Sequence, residues 1–173
     1  MLNLFKKKPN RDAVYAVYGA IVSQSRQPIF YAEWGVPDTV TGRFDMISVH
    51  LALLFRRMRT EKKEGVEFSQ AVFDLFFKDM DRSLREMGVG DLGVPKKIQK
   101  MGTLFFGLMT NLNEAMDRED RSGVESVLRR NLFEGAEGAK VAELAGYLFT
   151  QYDRLAAQSG EAIEAGKLEM VAA

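Results

Sequence analysis

Cysteine is missing from this 173-residue sequence, and histidine occurs once, at His50. Without thiols the chain can form no disulfide, no cysteine-based zinc or iron–sulfur site and no thiol nucleophile, which fits a reducing compartment. A Ser-His-Asp triad or a His-based metal site would depend on His50 alone. The Glu-x-x-His pattern of di-iron bundles fails too, because Ile47 stands three residues before His50. We therefore predict that the chain is not an enzyme and holds no metal.

An excess of charge of either sign is also missing, since 24 Lys and Arg balance 24 Asp and Glu. Bulk attraction to nucleic acid is therefore not expected, and we predict no specific nucleic-acid partner. No run approaches the roughly 20 apolar residues that cross a membrane. What remains is an ordinary globular composition, 46% hydrophobic, in a length that fits one domain.

Apolar residues recur at helical spacing along six segments, and no strand pattern or internal repeat accompanies them. The segments are 11–26, 42–60, 67–87, 95–118, a shorter one that ends near Gly135, and 139–157. They predict an all-α, single-domain bundle of about six amphipathic helices (11–158), with an N-terminal arm (1–10) and a short, frayed C-terminal tail (159–173). The third segment is dense in phenylalanine, so we expect it to be the central and most buried helix.

The N-terminal arm begins MLNLFKKK, apolar side chains beside three lysines. Lysines near an anionic membrane surface contribute about 1 kcal/mol each, so the arm predicts at most a weak peripheral contact. Its length and composition do not match a transit peptide, and helical spacing continues where a secretory signal would be purely apolar. We therefore expect a short arm followed by a first amphipathic helix.

His50 lies within the apolar stripe of the second predicted helix. A lone histidine in such a stripe is more often a hydrogen-bonded core residue than a catalyst, and we predict that role for it.

An irregular connection, 27–41, holds two prolines and carries Trp34. A connection of this length inside a compact domain is usually functional or well packed. Trp34 is accordingly either an anchor for a partner or a ring packed against the core, and the sequence leaves both open.

A glycine-rich stretch between the third and fourth helices predicts a sharp corner. Gly88 is the expected left-handed residue past the helix end, and Asp91 is a candidate N-terminal cap for the next helix. Gly88, Gly90 and Gly93 also spell G-x-G-x-x-G. A dinucleotide loop of that kind follows a strand, whereas a helical pattern precedes it here, so a helix–helix corner is the better interpretation.

Three lysines follow Pro95 in the first turns of the fourth helix. Cations oppose the positive end of a helix dipole, at about 0.3–1 kcal/mol each. Either the acids Asp91 and Glu86 screen these lysines or the patch serves a partner. The candidate partner-binding residues are Arg82, Arg85, Asp91, Lys96, Lys97 and Lys100 of the corner, Trp34, and Phe106, which points away from the apolar row of its helix.

Two stretches, 41–59 (TGRFDMISVHLALLFRRMR) and 76–101 (FFKDMDRSLREMGVGDLGVPKKIQKM), resemble the ubiquinol–cytochrome c chaperone family, the assembly factors of respiratory complex III. The resemblance covers most of 11–117 and implies an all-helical chaperone without catalytic residues or cofactor. In mitochondria such relatives act with a small partner protein near the ribosomal exit and bind newly made cytochrome b. The resemblance therefore implies a bacterial member that is cytoplasmic and acts peripherally at the inner face of the cell membrane. It further implies a membrane-protein client, cytochrome b, with a small partner protein and the ribosome as further partners.

A second class of function stays open, a helical carrier of a small ligand, a lipid or a quinone. Such a carrier needs an enclosed apolar pocket, expected near Phe73, Phe77 and Phe105. A chaperone needs instead an open groove with an exposed apolar rim. The nine methionines suit either an adaptable client surface or the filling of a core.

Overall fold

The structure is a computed structural model that describes residues 8–133, 136 and 139–173. Within those ranges the chain forms eight α-helices and no strand. They are α1 (Arg11–Ser25), α2 (Pro28–Ala32), α3 (Val40–Met58), α4 (Lys63–Glu86), α5 (Val94–Asp117), α6 (Arg121–Leu132), α7 (Val141–Ala156) and α8 (Gly160–Glu164). Residues 1–7, which make up most of the arm to which the predicted membrane contact was assigned, lie outside the described residues, as does Gly135.

The predicted all-α fold is confirmed. Six helices correspond to the six predicted segments, and the two additional ones, α2 and α8, have five residues each. Helix α2 lies in the connection predicted as irregular, where Pro28 suits a first helical position because its missing N–H has no helical partner. None of the helices in the described ranges is both long and apolar enough to cross a membrane.

Helix α3, and not the phenylalanine-rich α4, is the most buried helix, so the prediction on this point is wrong. Fourteen of the 19 residues of α3 are buried, against five of the 24 in α4. The reason is position: α3 packs against α1, α4, α5, α6 and α7, whereas one side of α4 carries charged residues to solvent. Phe68 and Phe76 are buried, but Phe73 and Phe77 are only half-buried.

The hydrophobic core forms two clusters, and opposite faces of α3 contribute to each. Met46, Val49 and Leu53 pack with α5, α6 and α7. Ile47 and Leu51 pack with α1 and α4. The central helix is thereby fixed in rotation and position, because a turn about its axis would expose one cluster or the other.

His50 is a hydrogen-bonded core residue, as predicted. Its Nδ1 lies 2.7 Å from the carbonyl oxygen of Met46, and its Nε2 lies 2.8 Å from the hydroxyl of Tyr147. A carbonyl only accepts, so Nδ1 donates and Nε2 accepts the hydroxyl proton. Burial lowers the pKa of His50 to about 4, which keeps the ring neutral at neutral pH.

Asp45 is the second buried titratable residue of α3, and 9% of its surface is exposed. No hydrogen bond from the described residues reaches its carboxylate. Burial raises the pKa of Asp45 to about 7.

The C-terminal tail is docked, so the predicted fraying is wrong. The backbone N–H of Val171 donates to Gln151 at 2.7 Å, and its carbonyl accepts from Gln24 at 2.6 Å. The N–H of Ala173 donates to Gln27. Glutamine side chains on neighbouring helices therefore satisfy a backbone that has no helical partners of its own.

The two buried groups predict opposite dependences of stability on pH. The pKa of His50 is lower in the folded chain than the ordinary value of 6.5, so the unfolded chain binds the additional proton, and stability is lost as the pH falls through this range. The pKa of Asp45 is higher in the folded chain than the ordinary 3.8, so the folded chain binds the additional proton, and stability is lost as the pH rises.

We compare each variant with the wild type by the free energy of unfolding of the variant minus that of the wild type. For Asp45→Asn this difference should rise by about 1.4 kcal/mol per pH unit between about pH 5 and pH 6.5, because only the wild type loses stability as the carboxyl ionises. The difference for His50→Gln should fall with pH by a similar amount. Urea unfolding at both pH values measures each slope. Parallel curves for the wild type and both variants would contradict the burial of these groups.

Candidate functional site

The corner between α4 and α5 begins with a Schellman motif. Gly88 has φ +83°, as predicted for the residue past a helix end. Its N–H donates to the carbonyl of Arg85 at 2.9 Å, and the N–H of Val89 donates to that of Leu84 at 3.0 Å. These two bonds satisfy carbonyls at the end of α4 and fix the direction in which the chain leaves the helix.

The second half of the corner starts α5 without a side-chain cap. Gly93 occupies the N-cap position with φ −85°, and its N–H donates to the carbonyl of Gly90 at 2.8 Å. The prediction of Asp91 as the cap is wrong, because its carboxylate accepts from the guanidinium of Arg85 instead. Asp91 also lies two residues before the N-cap Gly93, so it does not occupy the capping position.

Arginines bind the acids of the corner. Arg85 pairs with Asp81 at 2.7 Å as well as with Asp91. Arg82 pairs with Asp79 and lies 3.9 Å from Glu86. The acids expected to screen the lysines are therefore engaged elsewhere.

The three lysines of α5 remain exposed. No ion pair within the described part of the chain joins Lys96, Lys97 or Lys100 to an acid. Their charge opposes the positive end of α5, where the first turn has no acidic residue. The packing of the corner does not require them.

An open groove of about 410 Å³ runs beside the corner, where the start of α3 meets α4 and α5. Its floor includes Phe44 and Leu84, both buried. Its rim includes the half-exposed side chains of Val40, Met87 and Leu104. The complete lining is Val40, Thr41, Phe44, Leu84, Met87, Val89, Lys97, Lys100, Met101 and Leu104.

The groove joins the two resembling stretches. Thr41 and Phe44 come from the first, and most of the other lining residues come from the second. Sequence reasoning missed the apolar lining, because residues of three helices meet only in the folded chain. The available signal was that both stretches contain a helix end.

The predicted site residues fall into three places. Lys97 and Lys100 line the groove. The other predicted corner residues do not line it: each is either close in sequence to a lining residue or a member of the ion pairs between arginines and acids at the corner. Phe106 is 51% exposed, as expected, but it lies against Phe73 and Phe105 and does not line the groove.

The ring of Trp34 packs against the core. It lies 5.4 Å from the ring of Phe30 and 5.9 Å from that of Tyr147, and the residue is half-buried. The packing interpretation describes this geometry, and the structure does not bring Trp34 to the corner groove.

A larger depression of about 610 Å³ lies beside α2, and it is a weaker candidate. Its lining includes Arg26, Tyr31, Asp38 and Arg43. Arg43 pairs with Asp38 at 2.7 Å, and both side chains are 57% exposed. The corner groove, in contrast, has a buried apolar floor and a cationic edge.

The methionines divide between core and groove. Met116 is buried, and Met80, Met101 and Met109 are half-buried against the core, which is mainly the predicted core-filling role. Met87 is half-exposed at the groove rim, where a flexible thioether can adapt to different shapes.

Comparisons with known proteins agree on one family. The model of the family described as ubiquinol-cytochrome C chaperone matches residues 32–171. The Cbp3 homolog from Brucella abortus, a crystal structure, matches with a TM-score of 0.86 and 38% identity over 96% of this chain and 92% of that chain.

Two curated relatives carry the name ubiquinol-cytochrome c reductase complex assembly factor 1. The Xenopus laevis protein is 21% identical over 128 residues, and the Mus musculus protein is 23% identical over 159 residues. These matches cover 74% and 91% of this chain but 64% and 54% of the relatives. The chain thus spans less than two thirds of their length.

The uncapped, lysine-rich start of α5 yields a prediction about stability. Lys96→Glu should raise the melting temperature. An acid in the first turn interacts favourably with the helix dipole, and this interaction stabilises the helix by about 0.3–1 kcal/mol. Lys100→Glu is the matched control, since it makes the same charge change beyond the first turn. Thermal unfolding at low salt measures both. A lower melting temperature for Lys96→Glu, or an equal rise in both variants, would contradict the dipole argument.

Proposed function

Because the chain belongs to the ubiquinol-cytochrome C chaperone family, we propose that it assists assembly of ubiquinol–cytochrome c reductase by holding newly made cytochrome b in the corner groove. The single observation that carries this proposal is the open apolar groove, built from both stretches that resemble the family. The proposal has two parts, the identity of the client and the place where it binds.

The shape and lining of the groove suit an apolar segment of a client. Phe44 and Leu84 supply a buried floor, while Met87 and Leu104 are half-exposed at the rim. An amphipathic or apolar helix binds such a groove by placing its side chains against the floor. The exposed rim would then be covered, which accounts for apolar side chains left in water in the free chain.

The lysines at the edge of the groove would determine the direction in which a client segment binds. Lys97 and Lys100 lie on the α5 side of the groove, and no described acid neutralises them. A client segment with an acidic residue beside its apolar stretch would align that residue with this edge. Exposed charges of this kind contribute more to orientation and association rate than to affinity.

The carrier alternative is less well supported. The enclosed pocket expected near Phe73, Phe77 and Phe105 is filled by those rings themselves, whose centroids lie 4.7–6.2 Å apart. Aromatic rings at such distances pack in contact. A bound lipid or quinone would have to displace them, whereas a client segment needs no change in the core.

A chaperone role requires no catalytic group. His50, the residue on which histidine catalysis would depend, is buried with both ring nitrogens hydrogen-bonded. It therefore contributes to the core. We expect His50→Gln to lower stability and to leave client recovery unchanged.

Further partners belong to other surfaces. The resemblance implies a small partner protein and the ribosome, and action at the cytoplasmic face of a membrane. Phe106 is half-exposed outside the groove lining, so we assign it to contact with a protein other than the client.

If the groove binds the client, polar substitutions at its rim should reduce the recovery of cytochrome b. The double variant Met87→Gln and Leu104→Gln should recover cytochrome b at least about tenfold less than the wild type, since covering a methionine or leucine side chain contributes about 1.5–3 kcal/mol. The measurement is affinity purification of the tagged chain from detergent extracts of membranes that make complex III, with quantitative mass spectrometry.

Val66→Gln is the control variant, because Val66 is 56% exposed on α4 and does not line the groove. It should recover cytochrome b as the wild type does. Undiminished recovery by the double variant would remove the groove from the proposal. Recovery of no complex III subunit by the wild type would overturn the proposed function itself.

A further inference from the structure

The tip of the corner presents a leucine to solvent. Leu92 is 90% exposed, the highest value among the large apolar side chains described as exposed. The turn that carries it is well bonded, since Gly93 and Val94 both donate to the carbonyl of Gly90, at 2.8 and 3.1 Å. Leu92 therefore projects from a fixed turn, and its side chain adds nothing to the packed core.

Cations without acidic partners follow this leucine. Five Lys and Arg residues and four Asp and Glu residues lie between positions 79 and 100. Arg82 and Arg85 bind or approach all four acids, Asp91 beside the leucine included. Lys96, Lys97 and Lys100 join none of the ion pairs found among the described residues.

We propose that the corner tip docks on an anionic lipid surface. Leu92 enters the interface between headgroups and acyl chains, and the lysines contact lipid phosphates. Amphipathic anchors of this kind combine an apolar contact with several cations, because either alone is too weak. The contact is peripheral and reversible.

The size of the patch favours a lipid surface over a protein partner. One leucine on a narrow turn offers far less area than a stable protein interface buries, which is about 800 Å² per partner. A bilayer requires no complementary pocket, so a single projecting side chain can insert. The positive charge of the lysines is complementary to anionic headgroups.

Docking of the corner tip would also position the client groove. Lys97 and Lys100 border both the tip and the groove, so docking would hold the groove at the membrane surface. The lipid contact does not depend on which client the groove binds. Leu92 does not line the groove, and it allows the two activities to be tested separately.

Vesicle co-sedimentation of the full chain tests the proposal. The wild type should bind vesicles of phosphatidylcholine with phosphatidylglycerol more strongly than vesicles of phosphatidylcholine alone, and added salt should weaken the binding. Leu92→Gln should lower the partition coefficient on the anionic vesicles by about fivefold or more. Lys96→Gln should lower it by about fivefold.

Two matched variants control for polarity and charge. Val66→Gln changes an exposed apolar residue at the opposite end of α4, and Lys167→Gln removes an exposed lysine of the tail. Both should bind as the wild type does. Thermal unfolding establishes that each variant is folded.

Equal binding of the wild type to neutral and anionic vesicles would overturn the proposal. Binding by folded Leu92→Gln at the wild-type level would overturn it as well. In detergent extracts, where no bilayer is present, recovery of cytochrome b by Leu92→Gln is expected to stay unchanged because Leu92 does not line the groove. A failure of client capture is therefore distinguishable from a failure of lipid binding.

Discussion

The enclosure of α3 is the constraint on which the rest of the structure depends. Helices pack on all sides of it, and each face contributes to a different hydrophobic cluster. Polar groups lock it further: His50 binds Tyr147 of α7, and the buried Arg56 pairs with Asp117 of α5 at 2.7 Å. A partly buried pair of this kind fixes geometry more than it adds stability. The first turns of α3 bring the buried Phe44 to the corner between α4 and α5.

The corner groove depends on the position of α3, because the start of α3 forms one of its sides. The α4–α5 corner is set by a Schellman motif and by the bonds around Gly90, and it closes against the start of α3. A rigid floor with an adaptable methionine at the rim is suited to apolar segments whose sequences vary. The lysines beside it have no role in folding that the structure reveals, and their position at a helix N-terminus is unfavourable for the fold. In the proposed function these lysines serve a partner and not the stability of the fold.

The parts of the fold that the sequence predicts correctly are those that depend on local sequence patterns. Helical periodicity gave six of the helices, and Gly88 was identifiable because a left-handed residue after a helix is a local requirement. Asp91 was assigned wrongly because Arg85, six residues earlier, competes for its carboxylate. The burial of α3 over α4 was not predictable from phenylalanine content, since burial depends on how many neighbours a helix has. The groove lining was missed for the same reason: Phe44, Leu84 and Met101 meet only through the tertiary fold.

Site-specific photocrosslinking during membrane-protein synthesis tests the central claim, that the corner groove holds the client, most directly. A photoreactive amino acid at Leu104 of the groove rim is compared with one at Val66, both exposed apolar positions on helices. The account predicts a crosslink from position 104 to newly made cytochrome b, and none from position 66. Cytochrome b that co-purifies with both proteins, but crosslinks only from position 66 or equally from both, would contradict it.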